Sequence, residues 1–452
     1  MNAPGSVTNR SVEPLRCIIE AADGVRDGLA LLNENPHEDA FAWQHPATDR
    51  AIVALGCVAE IRACGASRFE QARRALQRIL GEIQVEYADG PVGDGATAAS
   101  ARRPETPLLV GGFGFFDGDP PGPWQDFPSL RFVLPRYAWV RDGDRAYTVR
   151  VEAFEPRHTP RISSAPQARN HQRGGTAVDE PAGDWLRRTA VAIERIRSGD
   201  LRKIVLARSR SVGLSDRFSP VDAVARLCTE RPSCATFLVR SGASAFLGSS
   251  PEMLARVDDG RFQTAALAGS QPRGKTAQED LRFAENLLAC AKNAREHSIV
   301  VDELRAKLAP VCSDLHVAPR PEVRRLPESF HLFTPFSGRL TADRNLFDVA
   351  GALHPTAAVC GIPSPVTMHD LARNEPGRGW YAGACGWIDA YGSGELTVAL
   401  RSALVERGRA VVWAGAGIVD GSCPESELAE VENKMTALTG ALESGTPEAG
   451  GA

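Results

Sequence analysis

Lys203 opens the short β-branched run "KIVLAR", so a charged amine stands at the mouth of an apolar strand. A lysine there can be a gatekeeper that keeps an edge strand soluble, or a rigidly held base facing a pocket. Glu252 lies in a Ser-Ser-Pro turn between two strand-like segments, "SAFLGSSPEMLARV". An exposed turn glutamate is the ordinary reading of that position. Glu296 falls on the helical stretch "LLACAKNAREHSIVVDEL" beside His297, without the His-Glu-x-x-His spacing of a zinc site. Glu427 and Glu430, in "GSCPESELAEVENKM", are three apart and share a helix face. Lys434 follows Glu430 by four, so a solvated Glu–Lys pair accounts for them if each is taken alone.

Carboxylates without thiol or imidazole partners favour a hard ion with oxygen ligands, and Mg²⁺ typically takes one or two carboxylates with substrate oxygens and water. Two glutamates on separate helices fit that arrangement, with an anionic substrate completing the shell. Arg401, after "ELTVAL", and the glycines of "WAGAGIV" add a carboxylate cradle. Arginine offers a planar fork, and glycine lets backbone N–H groups approach closely. The ten cysteines contain no Cys-x-x-Cys pair and read as small buried thiols. Cys385, in "GACGW", loosely resembles a nucleophile loop but would need a positioned histidine.

The elements that must hold these residues are legible in outline. "SRFEQARRALQRILGEI" (67–83) has helical periodicity, 87–105 reads as a loop, and "PLLVGGFGFFDG" as a strand running into glycines. Its Gly-x-Gly is no nucleotide loop, because Pro120 and Pro121 forbid a following helix. Residues 132–154 form a hairpin pattern around Asp142-Gly143, and 155–183 a Pro/Gly-rich loop. A helix stopped by Gly199 then delivers the chain into Lys203. Beyond it lie strand patterns such as "RFQTAALAG", "ELTVALRSALVE" and "RAVVWAGAGIV", a long helix from about Gln278 to Lys307, and a last helix near 425–443. The mixture lacks a βαβ rhythm and predicts an α+β fold with antiparallel sheets. The expected organisation is a flexible segment over 1–25, one large domain over 26–445 and a flexible tail over 446–452.

Composition narrows the function. Of 452 residues, 52 are Lys or Arg and 56 Asp or Glu, a net charge of −4 that gives no electrostatic case for nucleic-acid binding. No stretch approaches the ~18 apolar residues of a membrane span, and the N-terminus lacks an apolar signal core. A soluble, cytoplasmic protein is the expectation.

Eight ordered segments carry a resemblance: "KIVLAR" (203–208), "GSSPEML" (248–254), "ALAGSQPRG" (266–274), "LLACAKNAREHSIV" (287–300), "HLFTPFSG" (331–338), "HPTAAVCGIP" (354–363), "GWIDAYGSGELTVALRSA" (386–403) and "AGAGIVDGSCPESELAEVENKM" (414–435). Through them the C-terminal part resembles the chorismate-utilising enzymes, most closely the branch that forms isochorismate. The resemblance implies one large domain of packed antiparallel sheets with helices outside, and a Mg²⁺-dependent isomerase acting on chorismate. It assigns Lys203 as the base that activates water for attack at ring C2, and Glu252 as the acid that protonates the departing C4 hydroxyl. Glu296 and Glu430 are implied as metal ligands with Glu427 close by as a further contributor to the metal site, and Gly269, Ser270, Ala358, Arg401, Gly415 and Lys434 as substrate contacts. A monomer without a glutamine amidotransferase subunit is also implied.

Within the family, anthranilate-forming relatives usually carry glutamine at the position of Lys203. Aminodeoxychorismate-forming relatives carry Pro-Ile-Lys-Gly-Thr where this chain reads "ALAGS". Salicylate-forming relatives keep the lysine but tend to have a bulkier polar residue near Ala358, so the small Ala358 favours stopping at isochorismate. Salicylate formation with loss of pyruvate is the nearest alternative, and a non-catalytic chorismate-binding protein the next. Whether the product feeds menaquinone, a catechol siderophore or salicylate is left open. One departure is Cys290-Ala291-Lys292, where the family commonly has Ser-Glu-Lys.

Overall fold

A computed structural model describes residues 15–22, 28–88, 104–152, 179–327, 329–375 and 377–443. Among these residues, two large sheets organise the chain. The twelve-stranded sheet runs, neighbour to neighbour, Gly361–Ile362, Lys203–Gly213, Arg409–Ile418, Ser402–Glu406, Ser244–Ser250, Ala235–Ser241, Ala40–His45, Arg50–Leu55, Tyr137–Asp142, Arg145–Glu152, Leu15–Ala21 and Ile83–Tyr87. The ten-stranded sheet runs Cys312–Val317, Ser329–Leu340, Arg261–Pro272, Met253–Asp258, Gly394–Val398, Ala384–Asp389, Leu108–Phe113, Leu130–Leu134 and Ala59–Ala63, with Glu322–Arg325 paired beside Ser329–Leu340. Neighbours are antiparallel except Leu15–Ala21 with Ile83–Tyr87, which are parallel.

The sheets face each other across one continuous buried cluster. Arg50 of one sheet lies 4.8 Å over the Trp387 ring of the other, and Arg131 reaches across to Asp39 at 2.7 Å. Strands covered on both faces, such as Leu108–Phe113 and Ser244–Ser250, are buried at every residue, which is why their sequences show no polar alternation. Helices pack outside: Ala291–Leu308 lies on Arg261–Pro272, and Pro424–Glu443 on Arg409–Ile418. No described helix is long and apolar enough to cross a membrane.

Four expectations are corrected. The segment 1–25, expected to be flexible, contains the strand Leu15–Ala21, whose alternation buries Leu15, Cys17 and Ile19. The long helix over 278–307 is two, Ala277–Ala289 and Ala291–Leu308, because Cys290 is extended at φ −75 and ψ 115. The break lets the first helix pack its Leu287 against Phe330 and Leu332, while the second turns onto the sheet. The loop expected over 155–183 ends early, since a helix spans Ala182–Arg197; residues 153–178 lie outside the described set, as do 89–103 of the loop expected over 87–105. Finally, "ELTVALRSALVE" is not one strand. Gly394–Val398 belongs to one sheet and Ser402–Glu406 to the other.

The change of sheet occurs at Arg401, whose φ of +46 is uncommon for a residue with a side chain. The chain makes a second crossing between Ser250 and Met253, at Glu252. Both crossings open onto the same cleft.

Candidate active site

Lys203 begins its strand but is not an edge residue. The strand is flanked by Gly361–Ile362 on one side and Arg409–Ile418 on the other, and the lysine is fully buried. Its Nζ donates to Glu296 Oε1 at 3.1 Å. Burying a lysine this deeply without a partner would cost several kcal/mol; the carboxylate is that partner. Gly417, on the adjacent strand, makes the contact possible, since a Cβ there would fall 2.4 Å from Glu296 Oε1 and 3.0 Å from Lys203 Cε.

Glu296 reaches the cleft because its helix approaches the sheet closely. The strand Arg261–Pro272 bulges between Ala268 and Ser270, with Gly269 at φ +75 against Asn293 of the helix. His297 fixes the same helix: Nδ1 lies 3.0 Å from the Ala268 carbonyl and Nε2 2.9 Å from Thr334 Oγ1. Burial holds this imidazole below its ordinary pKa, so it is a neutral structural link.

Glu252, held in the crossing, is 7 % exposed. Burial pushes its carboxyl up to about 7, against the pull of Lys203 and Lys434. Glu430 behaves oppositely. Burial disfavours its charge, but the Lys434 ammonium at 2.6 Å and the Ser270 hydroxyl prevail and hold it at about 2. Lys434 also donates to the Gly415 carbonyl at 3.0 Å, tying helix to strand. Two carboxyls in one cleft are thus separated into a neutral donor and a fixed anion, the pattern that assigns acid and base roles.

One cleft, partly open to solvent, gathers these groups. Glu252, Gly269, Ser270, Glu296, Ala358, Arg401, Gly415, Glu430 and Lys434 all line it. Lys203 stands behind Glu296. Glu427 is, with Lys203, one of the two expected site residues outside the cleft lining. It is buried, absent from the cleft lining, and accepts from Lys292 Nζ at 2.6 Å. The solvated-face reading of Glu430 is also corrected, because the Glu430–Lys434 pair faces the cleft with 29 % and 23 % side-chain exposure.

Gly417, one of the two glycines of "WAGAGIV", lines the cleft as well, and so do His331, Tyr381 and Trp413, which sequence patterning did not single out. Burial, with Arg401 and Lys434 nearby, pushes His331 down to about 3, so it faces the cleft as a neutral imidazole. These residues lie in glycine-rich or apolar runs, where the face each presents depends on strand pairing. Cys385 is fully buried and its thiol pKa is raised well above the ordinary value by burial, so it is no nucleophile.

Among the described residues, no group of three or more His, Cys, Asp or Glu is placed to hold a metal. Glu296 and Glu430 nevertheless supply hard oxygen donors to one cleft, and the missing Cβ of Gly417 leaves room beside Glu296. This donor set fits a Mg²⁺ ion that takes its remaining ligands from substrate and water.

A family model described as "Chorismate binding enzyme" matches residues 9–443. The chain is 34% identical over 423 residues to the "Salicylate biosynthesis isochorismate synthase" of Pseudomonas aeruginosa, covering 88% of this chain and 84% of that one. It is 31% identical over 436 residues to the isochorismate synthase MenF of Escherichia coli, covering 91% and 90%. A solved structure of the Escherichia coli menaquinone-specific isochorismate synthase superposes with a TM-score of 0.75 at 26% identity, covering 96% of this chain and 95% of that one.

Proposed function

The chain belongs to the chorismate-binding enzymes, and we infer that it is an isomerase converting chorismate to isochorismate. The observation that carries this reading is its similarity, over most of both chains, to relatives named for that conversion.

The cleft supports a division of labour. Chorismate carries two carboxylates, and Arg401, Lys434 and the backbone around Gly415 provide cationic and N–H partners for them. Lys203, in its neutral amine form, takes a proton from the water that attacks ring C2. Glu252, neutral below about pH 7, gives its proton to the hydroxyl leaving C4. A C–O bond forms at C2, one breaks at C4, and the ring double bonds shift between them. Water enters and water leaves, so the isomerisation needs no oxidant or reductant. Glu296 and Glu430 would hold Mg²⁺, which when bound supplies positive charge against the substrate carboxylate. Because water rather than ammonia is the nucleophile, no amidotransferase subunit is required.

The test is product analysis after incubating the purified protein with chorismate and Mg²⁺. Isochorismate without pyruvate is expected, whereas salicylate with stoichiometric pyruvate would replace the reading by its salicylate-forming alternative. Excess EDTA should stop turnover, and Glu296→Ala and Glu430→Ala should each abolish it in a folded protein. Undiminished activity in EDTA would remove Mg²⁺ from the proposal.

A further inference from the structure

The strand that carries Lys203 is only briefly covered on one flank. Arg409–Ile418 pairs with it from Ile204 to Gly213, but on the opposite side Gly361–Ile362 reaches only Lys203 and Ile204. The Val205 N–H then donates to the Cys360 carbonyl at 2.7 Å. Beyond that point side chains replace the missing strand. Arg378 Nη2 donates to the Val205 carbonyl at 2.7 Å, Glu375 Oε1 accepts the Ala207 N–H at 2.7 Å, and Arg188 Nη2 donates to the Ala207 carbonyl at 3.0 Å.

Arg378 and Glu375 form one unit, with Arg378 Nε on Glu375 Oε2 at 2.7 Å and both side chains 1 % exposed. The remaining guanidinium nitrogen, Nη1, donates to the Val359 carbonyl at 2.8 Å, and the group lies 4.2 Å over the Phe115 ring. Val205, Ala358 and Val359 line the cleft; Arg378 and Glu375 do not. A fully buried ion pair is weak as a device for stability, since well-packed apolar residues often serve as well or better. What it provides is geometry. A planar fork bonded to two carbonyls sets the separation of the two segments that carry them.

We propose that Arg378 and Glu375 are positioning residues for the isomerisation, locking the Lys203 strand to the Ala358–Val359 turn so that the base is held at a fixed distance from the substrate ring. The proposal rests on the reading of Lys203 as the base. Neither residue touches substrate; both act through the backbone of the Lys203 strand.

Two variants test it beside wild type and Lys203→Ala, using chorismate and Mg²⁺. Arg378→Lys keeps the buried charge but replaces the rigid fork. Arg378→Met with Glu375→Gln removes both charges and leaves Glu375's position an acceptor for Ala207. The expected result is a kcat per folded molecule lowered ~10-fold or more in the double variant, and less in Arg378→Lys, because sub-ångström misplacement is costly in near-attack geometry. KM for chorismate should stay nearly unchanged. A purely structural role would instead lower the melting temperature and leave kcat per folded molecule intact. If the folded double variant keeps kcat within about twofold of wild type, against that ~10-fold expectation, the proposal is overturned. A loss carried wholly by KM overturns it as well. Wild type that makes no isochorismate would mean the functional reading has failed. Full turnover by Lys203→Ala would remove the base assignment, and this proposal with it.

Discussion

Nζ of Lys292 donates to Oε1 of Glu427 at 2.6 Å, joining the helix that carries Glu296 to the helix that carries Glu430. Lys292 precedes Glu296 by one helical turn, and Glu427 precedes Glu430 by slightly less. The bridge therefore sets the spacing of the two carboxylates proposed to hold Mg²⁺, while Glu427 itself stays outside the cleft lining. Lys292→Met and Glu427→Gln should weaken Mg²⁺ binding by similar factors, on the order of 10-fold, as for other groups that orient metal ligands. Calorimetric titration of Mg²⁺ into each substrate-free variant makes the comparison. A far larger loss in Glu427→Gln than in Lys292→Met would show Glu427 to be a ligand and not a clamp.

Lys203→Ala should bind chorismate and lose ~10²–10⁴-fold in turnover, the usual cost of removing a general base. An edge lysine would predict near-normal rates. Turnover above about a tenth of wild type rules the base assignment out, because general-base loss starts near ~10²-fold.

Glu252 links activity and stability to pH. As a donor it must be protonated, so its deprotonation should lower turnover as pH rises through about 7. The sign for stability follows from the folded carboxyl lying above its ordinary 4.5: its contribution is fully present below about 4.5 and is lost as pH rises through about 7. Glu395, buried and likewise pushed up to about 7 by burial, adds in the same direction. Glu252→Gln should lose ~10²-fold or more in turnover and show a shallower decline of melting temperature between about pH 4.5 and 7. An unchanged decline would mean that Glu252 is not the titrating group.

Gly417→Ala should disable the site while preserving the fold. The added methyl would meet Glu296 Oε1 at 2.4 Å and Lys203 Cε at 3.0 Å, so one of the two charged groups must move. A drop of at least ~10-fold in kcat is expected, since reacting groups tolerate little displacement. Weaker Mg²⁺ binding should accompany it if Glu296 is the group that moves. Wild-type kinetics would show that the contact relaxes freely.

Ala358→Thr should divert part of the product to salicylate and pyruvate, because a bulkier polar side chain lining the cleft can shift the enolpyruvyl group or a water. Pyruvate release measured against isochorismate reads the outcome directly. A variant that makes only isochorismate, more slowly, would confine Ala358 to packing.

Local order in the chain was enough to establish the α+β character, because hydrophobic periodicity and turn residues act over a few positions, whereas the cleft residues anticipated from sequence came mostly through the family resemblance that the ordered motifs carry. It could not show that "ELTVALRSALVE" changes sheets at Arg401, since a run of β-formers looks the same whether it continues or crosses. Nor could it distinguish an edge lysine from a buried one. Lys203 is buried because strands far away in sequence, Gly361–Ile362 and Arg409–Ile418, close on both its flanks. Glu427 and Glu430 make the same point on a single helix. Three residues apart, they are equivalent by spacing, yet Lys434 and Ser270 hold one at the cleft while Lys292 takes the other. Spacing defines which residues share a face; only the partners brought by the tertiary fold decide what that face meets.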